Sequence, residues 1–345
     1  MGRPAAAESA CEGAVMPNHP TSAVEPTAAS VAIIGACAGD VAATIADVGP
    51  EIRAAVRETG AVLVRGFDTL SVDEFATIAV SLLDDIVSDN SEHERVGVSG
   101  MVQTPVPFSP QQKLLWHNEN SFNRRWPLTL LFSPTVIAPV GGRTPLTDSR
   151  QLLKILDPAI VARFRDRGIA YIRRFGTSVG LPWQRVFGTH SRLEVDDQAA
   201  TDRVELDWRP DQTLSTRAVR PAVVAHPLTG ELAWFAQPAH WHPACLDMET
   251  REAMLEVFGH DGLPRDCQFG DGAIIPDSMM REILDAYESI ERSFDWKVGD
   301  VLAIDNVLTA HAREPYTGAR RLLVAIGDEH EFAGRVGHET VKVSR

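Results

Sequence analysis

Hydrophobic and polar positions alternate along this chain in two rhythms, and the rhythm changes near residue 128. In the first part, Glu51 to Thr59 reads as a helix stopped by Gly60. The run AVLVRGF, Ala61 to Phe67, reads as a buried strand. Ser71, Val72, Asp73 and Glu74 form a capping box. Behind it Phe75, Ile78, Ala79, Leu82, Leu83 and Ile86 recur at helical spacing and read as core packing. From Leu128 onward, TLLFSPTVIAP is strand-like with a proline interruption. Asp157-Pro158 predicts a capped helix start and Gly168 its end. GIAYIRRFG reads as a strand, and PAVVAHPLTGELAWFA as two strands joined by a turn at Leu228 to Gly230. Asp277 is expected to cap a further helix presenting Ile283, Leu284, Tyr287 and Ile290 on one face. Asp300–Ile304 and Arg321–Gly327 read as two short apolar strands.

Strands at irregular spacing with inserted helices suggest a sheet sandwich or barrel decorated by helices. The fold class expected is mainly β with flanking helices. No internal repeat, GxGxxG or GxxxxGK[ST] pattern occurs. Residues 1–30 are rich in Ala, Pro and Ser without periodicity and read as a flexible tail, leaving 31–345 as one domain.

Composition narrows the function. The 345 residues are 44% hydrophobic and 23% charged, a globular balance. The net charge of -14 argues against nucleic acid or an anionic membrane as partner. It does not exclude an acidic small molecule, because a few buried arginines can dominate one pocket. No apolar run reaches the roughly 20 residues of a membrane helix, and the N-terminal stretch has no apolar signal region. Cys11, Cys37, Cys245 and Cys267 are scattered and predict free thiols, hence a cytoplasmic setting.

Three stretches carry candidate chemistry. In WHNENSF, His117 and Glu119 are two apart, so on a strand they would share a face and could grip a divalent metal. In HAREPYTGARRL, His311 follows an apolar strand and is expected in a loop, with Arg320 and Arg321 returning on the next strand. Together they give two histidines and one carboxylate, a facial set that leaves open metal positions and suits non-haem Fe(II). In GGRTPLTDSR, Gly141 and Gly142 allow close backbone approach to a ligand, or simply a tight turn.

GAVLVRGF, WHNENSF, WPLTLLF, GGRTPLTDSR, HPLTGELAWF and HAREPYTGARRL, in that order, resemble the taurine dioxygenase-like family of Fe(II)/2-oxoglutarate-dependent oxygenases. Within it they are similar to the HxE branch and to syringomycin-type aspartyl hydroxylases that work beside peptide synthetases. The resemblance spans about residues 45 to 330 and implies a double-stranded β-helix, or jelly roll. It implies Fe(II) held by His117, Glu119 and His311, and 2-oxoglutarate held by Thr144 and one of Arg320 and Arg321. Taurine dioxygenase carries a further arginine where this chain has Ala325, so either member of the pair could grip. It implies oxidative decarboxylation with dioxygen and hydroxylation of an unactivated carbon, in antibiotic-type biosynthesis. Glu119 argues against halogenation, because halogenating relatives replace that carboxylate with a small residue.

The expected substrate is an amino acid, free or tethered to a peptidyl carrier protein. Trp116, Phe122, Arg124, Arg173 and Arg313 are candidates to contact it, with Arg125, Arg174 and Trp234 as further possibilities. A small free acid or sulfonate in catabolism is the alternative, and a zinc hydrolase with the same three ligands a lesser one. His240 and His242 have no third partner of matching pattern and are not expected to bind a metal.

Overall fold

A computed structural model describes residues 31–36, 39–87, 97–176, 179–210, 213–332 and 343–344. The expected tail, residues 1–30, and Cys11 and Cys37 lie outside the described residues.

The backbone of the molecule is a large sheet. Ala32–Gly35 runs parallel to Ala61–Arg65, which pairs antiparallel with Val301–Asp305. Val301–Asp305 pairs with the long strand Arg125–Val136, and that pairs with Arg321–Phe332. Val102–Gln103 and Gly97–Ser99 complete the order, with Val343–Ser344 beside Arg321–Phe332. Because side chains alternate along a strand, each sheet face has its own core. Val62, Val64, Ala303, Leu323 and Ala325 face the helices Val41–Thr59 and Val72–Leu82. Leu63, Leu130, Leu302, Ile304, Val324 and Ile326 face inward, toward Leu146 and Trp296.

Opposite that inner face lies a three-stranded sheet, Leu114–His117, Thr309–Arg313 and Leu146–Asp148, with Thr309–Arg313 in the centre. The two sheets form the expected jelly roll. A four-stranded sheet, ordered Val204–Trp208, Leu214–Arg220, Ile169–Phe175 and Arg265–Phe269, packs outside it with the helices Pro158–Arg167 and Asp277–Ser289. Among the described residues no helix is long and apolar enough to cross a membrane.

The capping box is present, with the Ser71 hydroxyl accepting from the Glu74 backbone N–H and Glu74 answering on Ser71. Four expectations need correction. The first helix begins at Val41, not Glu51, because Asp40 caps it, and Pro50 is carried inside. Asp277 is the first helical residue rather than the cap; Pro276 occupies that position without a side-chain bond. His311 lies within a strand rather than a loop. Glu119 lies beyond the strand that carries His117, in the following turn.

Gly60 joins the helix to the sheet at φ 82°, and a Cβ there would lie 2.4 Å from the Thr309 hydroxyl. Gly230 shares the positive φ but has open space around it. Gly60→Ala is therefore expected to cost about 1–3 kcal/mol, and more than Gly230→Ala. Urea midpoints of the two variants measure this; equal midpoints would count against the contact.

Candidate functional site

The site grows from the strand Thr309–Arg313. His311 pairs with His117 on one side and with Leu146 on the other. That register puts the two imidazoles side by side, ring centroids 4.2 Å apart. Glu119 then comes in from the turn, its Oε2 3.8 Å from His117 Nε2. One ligand atom from each of the three residues falls within 4.8 Å of the others.

Asn306 makes this convergence possible. Its Oδ1 accepts from the Glu119 backbone N–H at 2.7 Å, and its Nδ2 donates to the carbonyls of Glu119 at 2.9 Å and Pro127 at 2.8 Å. Asn118 returns a bond from its Nδ2 to the Asn306 carbonyl. The turn is thus clamped against the segment leading into His311, and Asn120 takes the left-handed φ of 57° that the tight path requires. Asp305 supports the same segment by accepting from the backbone N–H groups of Val307 and Leu308. His226, whose Nδ1 accepts from Leu228 and Thr229, directs its Nε2 at Asp305 Oδ2, 2.7 Å away.

Electrostatics suit a cation. His117 Nδ1 lies 2.9 Å from the Leu115 carbonyl, which holds the ring proton there and frees Nε2. Burial pulls the pKa of His117 down, against the pull of Glu119. Burial pushes His311 well below the ordinary histidine value, and facing His117 adds to it. Both rings are therefore neutral, with lone pairs available. His311 Nδ1 is buried and has no hydrogen-bond partner among the described residues. Two neutral imidazoles and one carboxylate on one side of a cavity can hold a non-haem metal with positions to spare.

The cavity beside them measures about 110 Å3. Its lining also includes Thr144, Arg313 and Arg320, and Phe132 of the long strand packs 5.4 Å from the His311 ring. Arg320 donates Nε to the Gly142 carbonyl at 3.0 Å, and burial lowers its pKa to about 10, with Arg313 next in effect. No carboxylate pairs with Arg320 among the described residues. A half-buried guanidinium of this kind is costly until an anion meets it. Gly142, at φ 77°, lies against it; a Cβ would come 3.1 Å from Arg320 Cδ. Thr144 accepts from the Trp296 indole N–H at 3.2 Å, which fixes the hydroxyl toward the cavity. These donors fit a small dicarboxylate in the same cavity that the metal ligands line.

The remaining expected residues separate. Arg321 is exposed and does not line the cavity. Trp116 points away from His117, as strand neighbours do, and stacks on Tyr287 at 5.5 Å in the core. Trp234 is likewise core, donating to the Ala236 carbonyl. Phe122 packs on Tyr171 and Trp241, outside this cavity. Arg124 bridges to Glu331 at 2.9 Å and Arg125 to Asp202 at 3.6 Å. Arg313 lines the cavity but spends its guanidinium on the carbonyls of Phe108, Ser109 and Gln112. Arg173 and Arg174 line a second cavity. His242 Nε2 lies 2.9 Å from the Ile275 carbonyl, whereas the His240 ring packs tilted against His117, centroids 4.5 Å apart. Asn306, Trp296 and His226 were not anticipated as site residues. Only the motif order around them could have signalled them.

The family model of the taurine catabolism dioxygenase TauD, TfdA family matches residues 24–326. The dapdiamide synthesis protein DdaC of Enterobacter agglomerans is 34% identical over 273 residues, covering 79% of this chain and 83% of that protein. A taurine dioxygenase from Burkholderia xenovorans superposes at a TM-score of 0.50 with 18% identity, covering 94% of this chain and 95% of its own. An asparagine oxygenase, solved with Fe(II), a hydroxyasparagine and succinate, gives 0.50 with 14% identity, covering 82% and 79%. This chain belongs to the TauD, TfdA family. It is a 2-oxoglutarate-dependent dioxygenase that uses Fe(II), 2-oxoglutarate and dioxygen.

Asn306→Ala would release the Glu119 turn while leaving the sheet pairing intact. Loss of such an orienting contact typically weakens metal binding by roughly 10–100-fold. A chelator-competition titration with Fe(II) checks this, with circular dichroism to confirm the fold.

Proposed function

We propose that His117, Glu119 and His311 hold Fe(II), that Arg320 with Thr144 grips the distal carboxylate of 2-oxoglutarate, and that the enzyme hydroxylates an unactivated carbon of an amino acid. The observation that carries this reading is that one cavity is lined both by the three convergent ligand side chains and by the half-buried Arg320, which has no carboxylate partner among the described residues. The substrate class is supported by the relative DdaC, a dapdiamide synthesis protein, and by the fold shared with an asparagine oxygenase. Both support amino-acid hydroxylation, on a free or carrier-bound aminoacyl group in peptide natural-product metabolism, as the reading proposed. A single oxygenase domain over 31–345 and a cytoplasmic setting belong to the same proposal.

When bound, iron and 2-oxoglutarate supply the oxidising power that inserts one atom of dioxygen into a C–H bond, with succinate and carbon dioxide as products. The chain's own part is placement. Arg320 offers a planar two-pronged donor matched to a carboxylate, and the Thr144 hydroxyl adds a third bond. Leu130, Phe132, Val324 and Ile326 wall the cavity with apolar surface and exclude water. Burial keeps His117 and His311 unprotonated and ready to ligate.

Glu119→Ala is expected to abolish succinate formation in a folded protein; wild-type succinate production by that variant would refute the ligand assignment. Arg320→Ala is expected to raise the KM for 2-oxoglutarate by 100-fold or more, since losing one member of a buried charge pair costs about 3–5 kcal/mol. Arg321→Ala is expected to leave that KM within about twofold, as surface changes usually do. The reverse order would move the grip to Arg321. A mass-spectrometric screen of amino acids, free and carrier-bound, decides between a tethered and a free substrate: product only from the tethered form establishes carrier dependence.

A further inference from the structure

The turn that carries Glu119 has two ends, and Asn306 holds the first of them. From Asn118 to Asn123 the chain closes on itself twice. The Ser121 N–H donates to the Asn118 carbonyl at 3.2 Å, and the Asn123 N–H to the Asn120 carbonyl at 2.8 Å. Overlapping turns of this kind move as one body, so a group that fixes Phe122 also fixes the main chain of Glu119.

Arg220 is such a group. It ends the strand Leu214–Arg220 of the outer four-stranded sheet and is 4% exposed. Its Nε donates to the Phe122 carbonyl at 3.0 Å. Its Nη2 donates to the Asp202 carbonyl at 2.9 Å, and its Nη1 to the carbonyls of Val219 at 3.1 Å and Arg203 at 3.4 Å. Asp202 is the last residue of the helix Arg192–Asp202, and Arg203 caps that helix in the left-handed region at φ 54°. The final carbonyls of a helix lack partners within it, and their dipoles favour a cation. Arg124 serves the same helix end, donating its Nη1 to the Thr201 carbonyl. Burial pulls the Arg220 pKa down to about 10, with the Asp202 charge pulling the other way. The planar fork explains why this costly cation is an arginine. It reaches Phe122 and the helix end together, which the single ammonium of a lysine does not.

We infer that Arg220 is a positioning residue for the metal site: it braces the Glu119 turn from behind by tying Phe122 to the end of the helix Arg192–Asp202, so that the Glu119 carboxylate is aimed from both ends of its turn. The inference rests on the reading of His117, Glu119 and His311 as metal ligands, and it adds a residue of the outer sheet to their support.

Chelator-competition titration of the full chain with Zn(II) tests it, because zinc binds imidazole and carboxylate tightly enough for weakened sites to be followed. Arg220→Gln is expected to weaken Zn(II) by about 10-fold or more, the usual loss for an orienting contact, and Arg220→Lys by about fivefold or more. Lysine keeps a cation at the helix end and is the less disruptive variant; circular dichroism checks the fold of both. Two controls separate aim from bulk stability. Val195→Ala removes buried surface from the same helix without touching the turn; it is expected to lower the urea midpoint and leave Zn(II) affinity within about twofold. In a Glu119→Ala background, Arg220→Lys is expected to change Zn(II) affinity by less than about twofold, since the carboxylate it aims is gone. Wild-type Zn(II) affinity in the Arg220 variants, an equal loss in Val195→Ala, a loss that persists without Glu119, or loss of the fold in both Arg220 variants overturns the inference. Unchanged affinity in Glu119→Ala alone sinks the ligand reading itself, whereas a loss there with intact binding in the Arg220 variants sinks only the role of Arg220.

Discussion

One carboxamide holds the site together. The ligand-bearing segments are far apart in sequence, one ending at Glu119 and the other leading into His311, and each is locally able to point elsewhere. Asn306 bonds both the N–H and the carbonyl of Glu119 while sitting a few residues ahead of His311. Its third bond, to the Pro127 carbonyl, ties both segments to the long strand of the large sheet. These groups are buried, so each unmade bond would cost roughly 1–3 kcal/mol. Ligand placement is therefore built into the main chain rather than left to side-chain rotamers.

A second constraint concerns charge. The protein as a whole is strongly acidic, yet the cavity at the ligand trio and the one beyond His240 both present arginines. Arg320 and Arg313 share one small space, and Arg173 and Arg265 share a strand register. Clustering cations inside an anionic shell concentrates positive potential where low dielectric makes it strongest. An acidic ligand is drawn inward by groups that the overall charge does not reveal.

Much of this was legible from residue order. Short-range signals gave the helix stops at Gly60 and Gly168, the capping box at Ser71 and the strand Ile169–Phe175. The three expected side chains converge, His117 and His311 through the sheet register and Glu119 through the Asn306 clamp. What escaped depended on contacts between distant segments. Glu119 has helical or extended options that only the Asn306 clamp excludes, so its place in a turn was invisible. His311 reads as loop because it comes after the apolar run ending at Ile304, yet pairing on both sides makes it a strand. Trp116 looked like a pocket residue because it adjoins His117, and strand alternation sends it the other way. Arg320 and Arg321 cannot be ranked by spacing; Arg320 is half-buried in the cavity wall and Arg321 is exposed outside it.

The Leu115 carbonyl accepts from two rings at once, His117 through Nδ1 and His240 through Nε2. A single main-chain oxygen thus fixes the tautomer on the metal side and the orientation of the wall on the other. Because no side chain is involved, exchange of residue 115 for another apolar type leaves this hinge in place. Any tilt of that short strand, by contrast, swings both imidazoles in concert, so the two chambers share one mechanical axle.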